Sequence, residues 1–534
     1  MRVGRKKGGE RPWRADGVSR YRERASAPGR RDTTGERSSH DVFTVTRGID
    51  APPAAGRDPL PGSAATPRAA GKAAQQAKAR FTSGSILRHV LVMTLTGTVG
   101  TLSIFAVDLL SLIYVSRLGS TELKASAGFA TQVLVYPVAV DIGITIAVTA
   151  AVSRALGSGH RARARRIAAS GLLIAGVIGA AVAVAALLGA APSLAMFGAR
   201  GEARDVAERF LLIALPGNVP LALGMALSGV LRAVGDARRA MMVTLAGGLV
   251  VAVLDPLLIF GLHLGIYGAA ISTLASRFVL LGVGLHGVGR VHGLLQWPRL
   301  RTLGLDARIL AAVAVPAVAA NLATPFGNGY ALHVYAGYGD AAVAAAAIID
   351  RTVYVGFAVI FALTGAIGPI LGQNLGAGLH ARVSETLTRC FVVTLAYALA
   401  VWLVLALAWP GIAALFRASP ETAAYLGFFC RWGVSAWLFI GMLFVANAAF
   451  NNLGFPLLSM LFNWGRATLG TLPCVAFGAH VGGVEGGMVG MAVGAAVFGV
   501  GAVVTAYGVV GRMARTTAAH TRRDPGPAAL REGT

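Results

Sequence analysis

Charged residues are scarce in this chain of 534 residues, in which Asp, Glu, Lys and Arg together make up only 13%. A soluble domain carries about a quarter charged residues, so this composition excludes an ordinary water-exposed fold. Hydrophobic residues make up 55%, and the mean hydropathy is +0.65. Uncharged, largely apolar stretches such as 172–196 and 391–409 reach the length of about 20 residues that a helix needs to cross a bilayer core. The sequence therefore predicts an integral membrane protein.

Cysteine is also rare, with three residues at Cys390, Cys430 and Cys474. An odd and sparse count gives neither a disulfide framework nor the spacing of a metal site, so we interpret these residues as small packing side chains. The sequence also lacks the GxxxxGK[ST] loop of nucleotide-binding proteins, the HExxH motif of zinc proteases and the GxSxG motif of hydrolases. These absences argue against ATP-driven transport and against a membrane-embedded enzyme.

Positive charge exceeds negative charge by 24, but its placement argues against a nucleic-acid partner. Residues 1–80 hold 18 Lys and Arg and form a basic tail. If the N-terminus is cytoplasmic, the inner loops and the C-terminal tail carry 19 Lys and Arg, whereas the outer loops carry 6. This asymmetry follows the positive-inside rule. It predicts a multi-pass membrane protein with both termini in the cytoplasm, and we expect the membrane to be a bacterial inner (plasma) membrane.

Twelve apolar segments, separated by glycine, proline or charged residues, predict twelve transmembrane helices. They cover approximately 86–116, 125–153, 165–190, 203–232, 239–262, 265–289, 307–337, 341–372, 384–410, 421–450, 455–479 and 486–512. We predict a disordered basic cytoplasmic tail (1–83), an N-terminal six-helix lobe (84–298), a C-terminal six-helix lobe (299–515) and a cytoplasmic tail (516–534). The basic tail either binds anionic lipid headgroups or reflects an over-extended start site.

The two lobes repeat one another at a constant spacing. Residues 155–159 (ALGSG) correspond to 374–378 (NLGAG). The two segments are 219 residues apart, a spacing that we call the repeat offset. The same offset separates glycines beside later spans, namely Gly235 from Gly454 and Gly268 from Gly487. Because each lobe has an even number of spans, both enter the membrane from the same side. The fold class predicted is an all-α membrane protein of two parallel six-helix bundles, which usually enclose a transport site between them.

Several segments resemble the motifs of one transporter family. They are 107–119 (VDLLSLIYVSRLG), 231–236 (LRAVGD), 254–261 (LDPLLIFG), 264–273 (LGIYGAAIST) and 372–378 (GQNLGAG). In their order and spacing they resemble the multidrug and toxic compound extrusion (MATE) family over roughly residues 86–512, and within it the prokaryotic, proton-linked (DinF-like) branch. The resemblance implies the two-bundle fold and ion-coupled export of small organic molecules.

Two carboxylates interrupt otherwise apolar spans, Asp108 in span 1 and Asp255 in span 5. A carboxylate in hydrocarbon costs at least about 2.5 kcal/mol, so it faces a cavity or a partner rather than lipid. Apolar surroundings favour the neutral form of a carboxyl group, which makes both residues candidates for proton exchange. The resemblance implies the same two positions as ion-coupling residues, and it implies that Thr273 lines the same cavity. The alternatives are structural hydrogen bonds, for Thr273 to its own backbone.

Departures from the family bear on the coupling ion. Val251 stands where relatives often have an asparagine, four residues before the span-5 aspartate. This removes an oxygen ligand from any sodium shell, so we expect protons rather than sodium as the coupling ion. Spans 7 and 10 lack the interior carboxylates that another branch of the family uses. The coupling site is therefore expected in the N-terminal lobe.

Other polar or aromatic residues within the spans are candidates for a substrate cavity: Gln132, Tyr136, Asp141, Asn218, Phe326, Asn328, Asp350 and Arg351. Aromatic faces attract organic cations, although such residues also serve as contacts between helices. Asp141 has Arg277 as a candidate structural partner. Asp350, Arg351 and Arg466 are expected in salt bridges inside the C-terminal lobe, with a substrate or gating role as the alternative.

These features predict a secondary transporter that exports organic, cationic and amphipathic compounds in antiport with protons, and not an enzyme. We expect no cofactor besides the coupling ion (H+, with Na+ less favoured), small-molecule substrates and membrane lipids as partners, no nucleic acid, and a monomer. One alternative is a lipid-linked saccharide flippase of a related fold, which would need a basic central cavity. The other is a membrane-embedded enzyme, for which no catalytic motif is recognised.

Overall fold

The computed structural model describes residues 79–118 and 121–523, and this part of the chain is almost entirely helical. Its α-helices are α1 (Ile86–Ser116), α2 (Thr121–Gly157), α3 (Arg161–Leu188), α4 (Ala190–Met196), α5 (Gly201–Ala214), α6 (Asn218–Val234), α7 (Ala237–Pro256), α8 (Ile266–Leu285), α9 (Leu300–Ala336), α10 (Asp340–Gly356), α11 (Ala358–Gly376), α12 (His380–Leu415), α13 (Pro420–Phe428), α14 (Ser435–Leu453), α15 (Pro456–Gly465) and α16 (Leu472–Arg523). Short 3-10 and π-helical turns flank or join them at Arg80–Thr82, Leu215–Gly217, Leu257–Gly261, His286–Val291, Phe429–Gly433 and Arg466–Thr471. The predicted all-α membrane fold is confirmed.

Within the described residues these helices make twelve passes through the membrane, the number predicted. Eleven helical stretches are long and apolar enough to span it, and the last of them, Pro456–Arg515, has 60 residues. At about 1.5 Å per residue this stretch is about twice as long as a bilayer is thick. Its backbone leaves the helical conformation at Gly482 and Gly483, and the arms on either side pack closely at Gly478 and Gly486. The stretch is therefore two antiparallel passes.

The two lobes repeat the same backbone turns. Gly159 and Gly378 have φ of 78° and 71°, and Gly235 and Gly454 have φ of 94° and 96°. The members of each pair are separated by the repeat offset. Glycine adopts a positive φ without steric cost, and it is common just after a helix end. The matched glycines in the sequence therefore mark equivalent helix ends in the two lobes.

The lobes meet in a reciprocal contact at the C-terminal ends of α2 and α11. A Cβ atom on Gly157 would collide with the backbone of Gln373, and one on Gly376 would collide with the backbone of Arg154. By the repeat offset, Gln373 and Gly376 are the second-lobe equivalents of Arg154 and Gly157. Each lobe thus presents the same two positions to the other, which is the mark of a twofold axis. The lobes are parallel repeats around an axis along the membrane normal, as predicted.

The side of the molecule that holds this contact also holds the arginine-rich loops, and we call it the basic end. The loops and flanking turns are 154–166, 232–239, 290–308 and 373–389. The short turn before α1 joins the lobes here. The Phe81 N–H donates to Oε1 of Gln373 (2.9 Å), and Nε2 of Gln373 donates to the carbonyl of Ala233 in the other lobe (2.7 Å). Nη1 of Arg80 donates to the carbonyl of Gly235 (2.7 Å).

The predicted domain boundaries stay predictions. Residues 1–78 and 524–534, which include most of both predicted tails, lie outside the described residues. Of the remainder, Arg80–Thr82 form a 3-10 turn and α16 extends to Arg523. Helical structure therefore begins before residue 84 and continues beyond residue 515, the two positions where the sequence suggested that the lobes begin and end.

Away from the basic end the lobes separate. Between the basic end and the opposite end of the membrane, α1 packs on α11 where Gly97 meets Ala362, and α2 packs on α9 where Gly143 meets Val318. Farther toward the opposite end of the membrane, side chains on the same helix faces become exposed, as Tyr136 does seven residues before Gly143. Seven residues are about two helical turns, so both lie on one face of α2. The lobes thus enclose a cleft that opens away from the basic end.

Candidate functional site

A buried carboxylate joins three helices of the N-terminal lobe. Asp255 lies in the last turn of α7, and only 1% of its surface is exposed. Its carboxylate oxygens accept hydrogen bonds from Oγ of Ser111 on α1 and from Oγ of Ser272 on α8. A carboxylate at membrane depth is costly unless it is paired or hydrogen-bonded, and the two hydroxyl groups meet that need. Gain or loss of one proton at Asp255 would therefore change the contacts among three helices.

Asp108 lies one turn before Ser111 on α1 and faces the cleft. It follows Gly97, which packs on the other lobe, by eleven residues, so three helical turns bring it to the same face of α1. Its side chain is exposed, and among the described residues it forms no hydrogen bond or close ion pair. The guanidinium of Arg351 on α10 is close enough to attract its carboxylate. The structure thus places one predicted coupling residue, Asp108, in the cleft and the other, Asp255, behind it.

Asp350 and Arg351 lie on the C-terminal lobe's side of the cleft. Both are exposed, and Arg351 also attracts the carboxylate of Asp350. In the described part of the chain, however, neither forms a close ion pair, so the predicted salt bridge inside the lobe is not found. Adjacent residues on a helix point about 100° apart, which keeps their charged groups from meeting directly. The buried Arg466 likewise has no carboxylate partner among these residues, and its Nη2 donates to Oγ1 of Thr324 instead (3.1 Å).

An aromatic cluster crosses the cleft one turn from these charges. The ring of Phe105 on α1 lies 5.2 Å from that of Tyr354 on α10 and 6.2 Å from that of Phe361 on α11, between centroids. Tyr354 also stacks on Phe361 at 5.9 Å. Phe105 is three residues before Asp108, and Tyr354 is three residues after Arg351, so each ring shares a helix face with a charge of the cleft. The cleft therefore offers aromatic surface next to charges of both signs.

Thr273 bonds within its own helix. Its Oγ1 donates to the carbonyl of Ala269, one turn earlier (2.8 Å), as threonines within spans commonly do. The neighbouring Ser272 supplies the hydroxyl that reaches Asp255. Sequence reasoning missed both serine partners. Ser111 could have been found from its position one turn after the span-1 aspartate, but nothing in the sequence distinguishes Ser272 from Thr273 as the partner.

Asp141, Asn218 and Arg277 form a second polar cluster inside the N-terminal lobe. Asp141 is buried, and its oxygens accept no hydrogen bond of normal length from the described residues. Arg277 attracts its carboxylate, as the sequence suggested, but directs Nη1 to the carbonyl of Ala214 (2.9 Å). Nδ2 of Asn218 donates to the carbonyl of Gly179 (3.2 Å). These three predicted residues thus pack between helices of one lobe and do not line the cleft.

The remaining cavity candidates are exposed residues of α2 and α9. Gln132 and Asn328 are exposed, and Tyr136 and Phe326 are each 48% exposed although they lie well inside long apolar helices. Gln132 and Tyr136 share the face of α2 that packs on α9 nearer the basic end. The ring of Phe326 on α9 lies 5.5 Å from that of Trp464. Phe326 and Asn328 are two residues apart and therefore point in nearly opposite directions on α9. The structure thus places Gln132 and Tyr136 on the cleft face of α2, whereas the ring of Phe326 packs within its own lobe.

Comparisons with known proteins agree on one family. The family model described as MatE matches residues 98–257 and 316–475, once in each lobe. The FAD transporter of Shewanella oneidensis is 28% identical over 410 residues, which cover 76% of this chain and 90% of that protein. The multidrug export protein MepA of Staphylococcus haemolyticus is 21% identical, over 75% of this chain and 86% of that protein. The solved structure of the Vibrio cholerae MATE transporter VcmN in its bent form has a TM-score of 0.76 at 24% identity, over 80% of this chain and 98% of that one.

Proposed function

Because the chain belongs to the MatE family of membrane transporters, we propose that it exports organic, cationic and amphipathic compounds in exchange for protons. The observation that carries the proposal is the pair of carboxylates in the N-terminal lobe. Asp108 meets the cleft, whereas Asp255 lies behind it and binds Ser111, one turn from Asp108 on the same helix. A hydroxyl group accepts and donates hydrogen bonds. A change in protonation at Asp255 would therefore alter a contact of α1 that lies one turn from Asp108.

In the proposed cycle the proton and the substrate compete for Asp108. The ionised carboxylate attracts a cationic substrate, and the rings of Phe105, Tyr354 and Phe361 add about 0.5–2 kcal/mol for each cation–π contact. A proton that enters from outside neutralises Asp108 and releases the substrate. A proton that reaches Asp255 makes one of its oxygens a donor while the other still accepts, so one of its two serine hydrogen bonds must reverse direction. Loss of the proton to the cytoplasm restores the binding form.

Two features support the assignment of sides and of the coupling ion. We place the basic end in the cytoplasm of a bacterial inner membrane because arginine-rich loops stay on that side. The observed contact between the lobes then closes the cytoplasmic side and leaves the cleft open to the outside. Protons are favoured over sodium because Val251, one turn before Asp255, supplies no oxygen ligand.

The test is transport by the purified protein in liposomes. A fluorescent organic cation such as ethidium is followed under an imposed proton gradient and, separately, under an imposed sodium gradient. We expect a proton gradient alone to drive transport and Asp108→Asn to abolish it. Asp340→Asn is the matched control, because it removes an exposed carboxylate outside the cleft, at the start of α10. Undiminished proton-driven transport by Asp108→Asn would contradict the proposal. Transport driven by a sodium gradient alone would identify sodium as the coupling ion.

A second candidate substrate is a flavin dinucleotide. A relative named as an FAD transporter aligns over 90% of its own length. In this chain the exposed Arg351 could pair with a pyrophosphate while the neighbouring rings of Tyr354 and Phe105 stack on a flavin. Parallel assays with FAD and with ethidium decide between the two classes. Transport of FAD that ethidium does not inhibit would favour the dinucleotide, and transport of ethidium alone would exclude it.

A further inference from the structure

A pocket with a volume of about 710 Å³ lies at the basic end, outside the cleft between the lobes. The first turn of α3, the segment that connects the two lobes and the start of α9 form its walls. Its polar lining consists of His160, Arg161, Arg163, Arg166, Gln296 and Arg299. Among the described residues that line it, none is acidic. We call it the basic pocket.

The shape of the basic pocket is set by the protein itself. Nη2 of Arg161 donates to the carbonyl of His292 in the connecting segment. Nη2 of Arg166 pairs with Oδ1 of Asp306 at 3.0 Å, and Oδ2 of Asp306 accepts from Oγ of Ser170 at 2.8 Å. The side chain of Asp306 is fully buried. These bonds fix two arginines and tie the connecting segment to α3, so the walls exist before any ligand arrives.

The side chains of the other two arginines of the basic pocket have no partner within the described part of the chain. Arg163 and Arg299 are exposed, and their guanidinium groups form no hydrogen bond or ion pair there. Four arginines against the one carboxylate of Asp306 leave a formal charge of +3 at the pocket. Planar guanidinium groups match phosphate oxygens, and the first turn of the 28-residue α3 adds backbone N–H groups that attract an anion. The chemistry of the pocket is therefore that of a phosphate site.

Exposed apolar side chains beside the basic pocket indicate where the phosphate comes from. Trp297 adjoins the lining residue Gln296 and is 92% exposed, and Leu300 adjoins Arg299 and is 78% exposed. An exposed indole next to basic residues is typical of the membrane interface, where its ring lies at the level of the headgroups. We propose that the basic pocket binds the phosphate of an anionic phospholipid headgroup, with the acyl chains beside Trp297 and Leu300.

A bound headgroup would contact both lobes at once. Arg163 lies on α3 in the N-terminal lobe, whereas Leu305 and Ile309 lie on α9 in the C-terminal lobe. Arg299 lies at the end of the segment that connects them. The lipid therefore stabilises the arrangement in which the lobes meet at the basic end. This role is separate from substrate and proton binding, which the cleft residues serve.

The proposal is tested on the full chain by native mass spectrometry from detergent micelles that contain phosphatidylglycerol or phosphatidylcholine. We expect phosphatidylglycerol to stay bound to the wild type and phosphatidylcholine not to. Arg163→Gln with Arg299→Gln should weaken phosphatidylglycerol binding about thirtyfold, because each of the two arginines contributes about a fivefold increase in affinity for an anionic headgroup. Arg88→Gln with Arg238→Gln removes two exposed arginines elsewhere at the basic end and should leave binding unchanged. Equal binding by the wild type and the pocket variant would overturn the proposal.

Two further arms separate the sources of phosphate and the effects on folding. The apparent melting temperature is measured with a short-chain phosphatidylglycerol and with inorganic phosphate, because a ligand that binds the folded state raises it. We expect only the lipid to raise the melting temperature of the wild type, and Arg163→Lys with Arg299→Lys to keep part of that rise. An equal rise with inorganic phosphate would assign the pocket to a soluble anion and overturn the lipid proposal.

Discussion

The two lobes share a backbone plan but distribute charge differently within their spans. In the N-terminal lobe the buried or cleft-facing charges are Asp108, Asp141, Asp255 and Arg277. Their equivalents by the repeat offset are Gly327, Ile360, Cys474 and Ala496. In the opposite direction, Asp350, Arg351 and Arg466 correspond to Thr131, Gln132 and Gly247. No charged residue in this set has a charged equivalent.

This difference shows which features the repeated fold constrains. Helix ends and the contact at the axis recur in both lobes because the same turns and close approaches must form twice. Charges within the spans do not recur, since each costs free energy in the membrane and persists only where it has a partner or a function. The N-terminal lobe therefore differs from its copy in the residues proposed for proton exchange, and four changes test that contrast.

The largest effect is expected from moving the buried carboxylate to the other lobe. Asp255→Asn should lower proton-driven transport on the order of tenfold or more, because a proton-binding group is lost. Cys474→Asp in the same chain restores the carboxylate at the equivalent position but should not restore transport. The reason is that the positions equivalent to the two serine partners hold Tyr330 and Met491, so the pair of serine hydroxyl groups that binds Asp255 is missing there. Recovery of transport in the double variant, measured in liposomes, would show that either lobe can couple protons.

A smaller effect is expected when a side chain is added at the contact between the lobes, and the loss of stability should be the same for the two lobes. Gly157→Ala and Gly376→Ala each place a Cβ against the backbone of the other lobe, and overpacking of this kind costs about 1–3 kcal/mol. Gly128→Ala is the matched control, because its Cβ would meet open space within the same helix. We expect lower apparent melting temperatures for the first two variants only. Clearly unequal decreases would contradict the symmetry of the contact.

Arg351→Gln gives the C-terminal lobe the residue that the N-terminal lobe has at the equivalent position, Gln132. Transport of an anion such as FAD should fall several-fold, because a charge-assisted hydrogen bond to phosphate is lost. Transport of an organic cation should be unchanged or should increase, since the competing charge opposite Asp108 is gone. Both rates are measured on the same liposomes. A parallel fall for both substrates would indicate a structural role for Arg351.

The smallest effect concerns a loop that carries a carboxylate in one lobe only. Burial alone would raise the pKa of Asp236, but hydrogen bonds from Arg239 and His292 outweigh it and hold that pKa below its usual range. Since the folded pKa is the lower one, the contribution to stability is present above about pH 4, the ordinary value for aspartate. It is lost as the pH falls through the folded pKa. The second-lobe equivalent, Phe455, has no such contribution.

Asp236→Asn should therefore lower the apparent melting temperature at pH 7, with a cost of at most about 1 kcal/mol because the ion pair is partly exposed. The difference from the wild type should shrink as the pH approaches 3. Melting curves at several pH values check this. A difference that stays constant from pH 7 to pH 3 would mean that the carboxylate contributes through packing rather than through charge.

The fold could be predicted from the sequence because its signals are local. Span length follows from apolar stretches, and the repeat follows from glycines such as Gly235 and Gly454 that end equivalent helices. The site could be predicted only in part. Asp108 and Asp255 stand out as acids in apolar surroundings, but Ser111 and Arg351 gain their meaning from which helices are neighbours. A membrane helix that is apolar on most faces does not reveal the face it packs on.

The contact of Gly157 and Gly376 with the opposite backbone places the lobes' closest approach at one end of the axis. Mechanically, such a joint works as the fulcrum of a lever whose arm is the depth of the bilayer core, about 30 Å. A tilt of about 10° about the fulcrum moves the far rims by about 5 Å over that depth. Because two glycines form the contact, the backbones of the two lobes touch at the pivot, and a small rotation there becomes a wide opening at the distant rim.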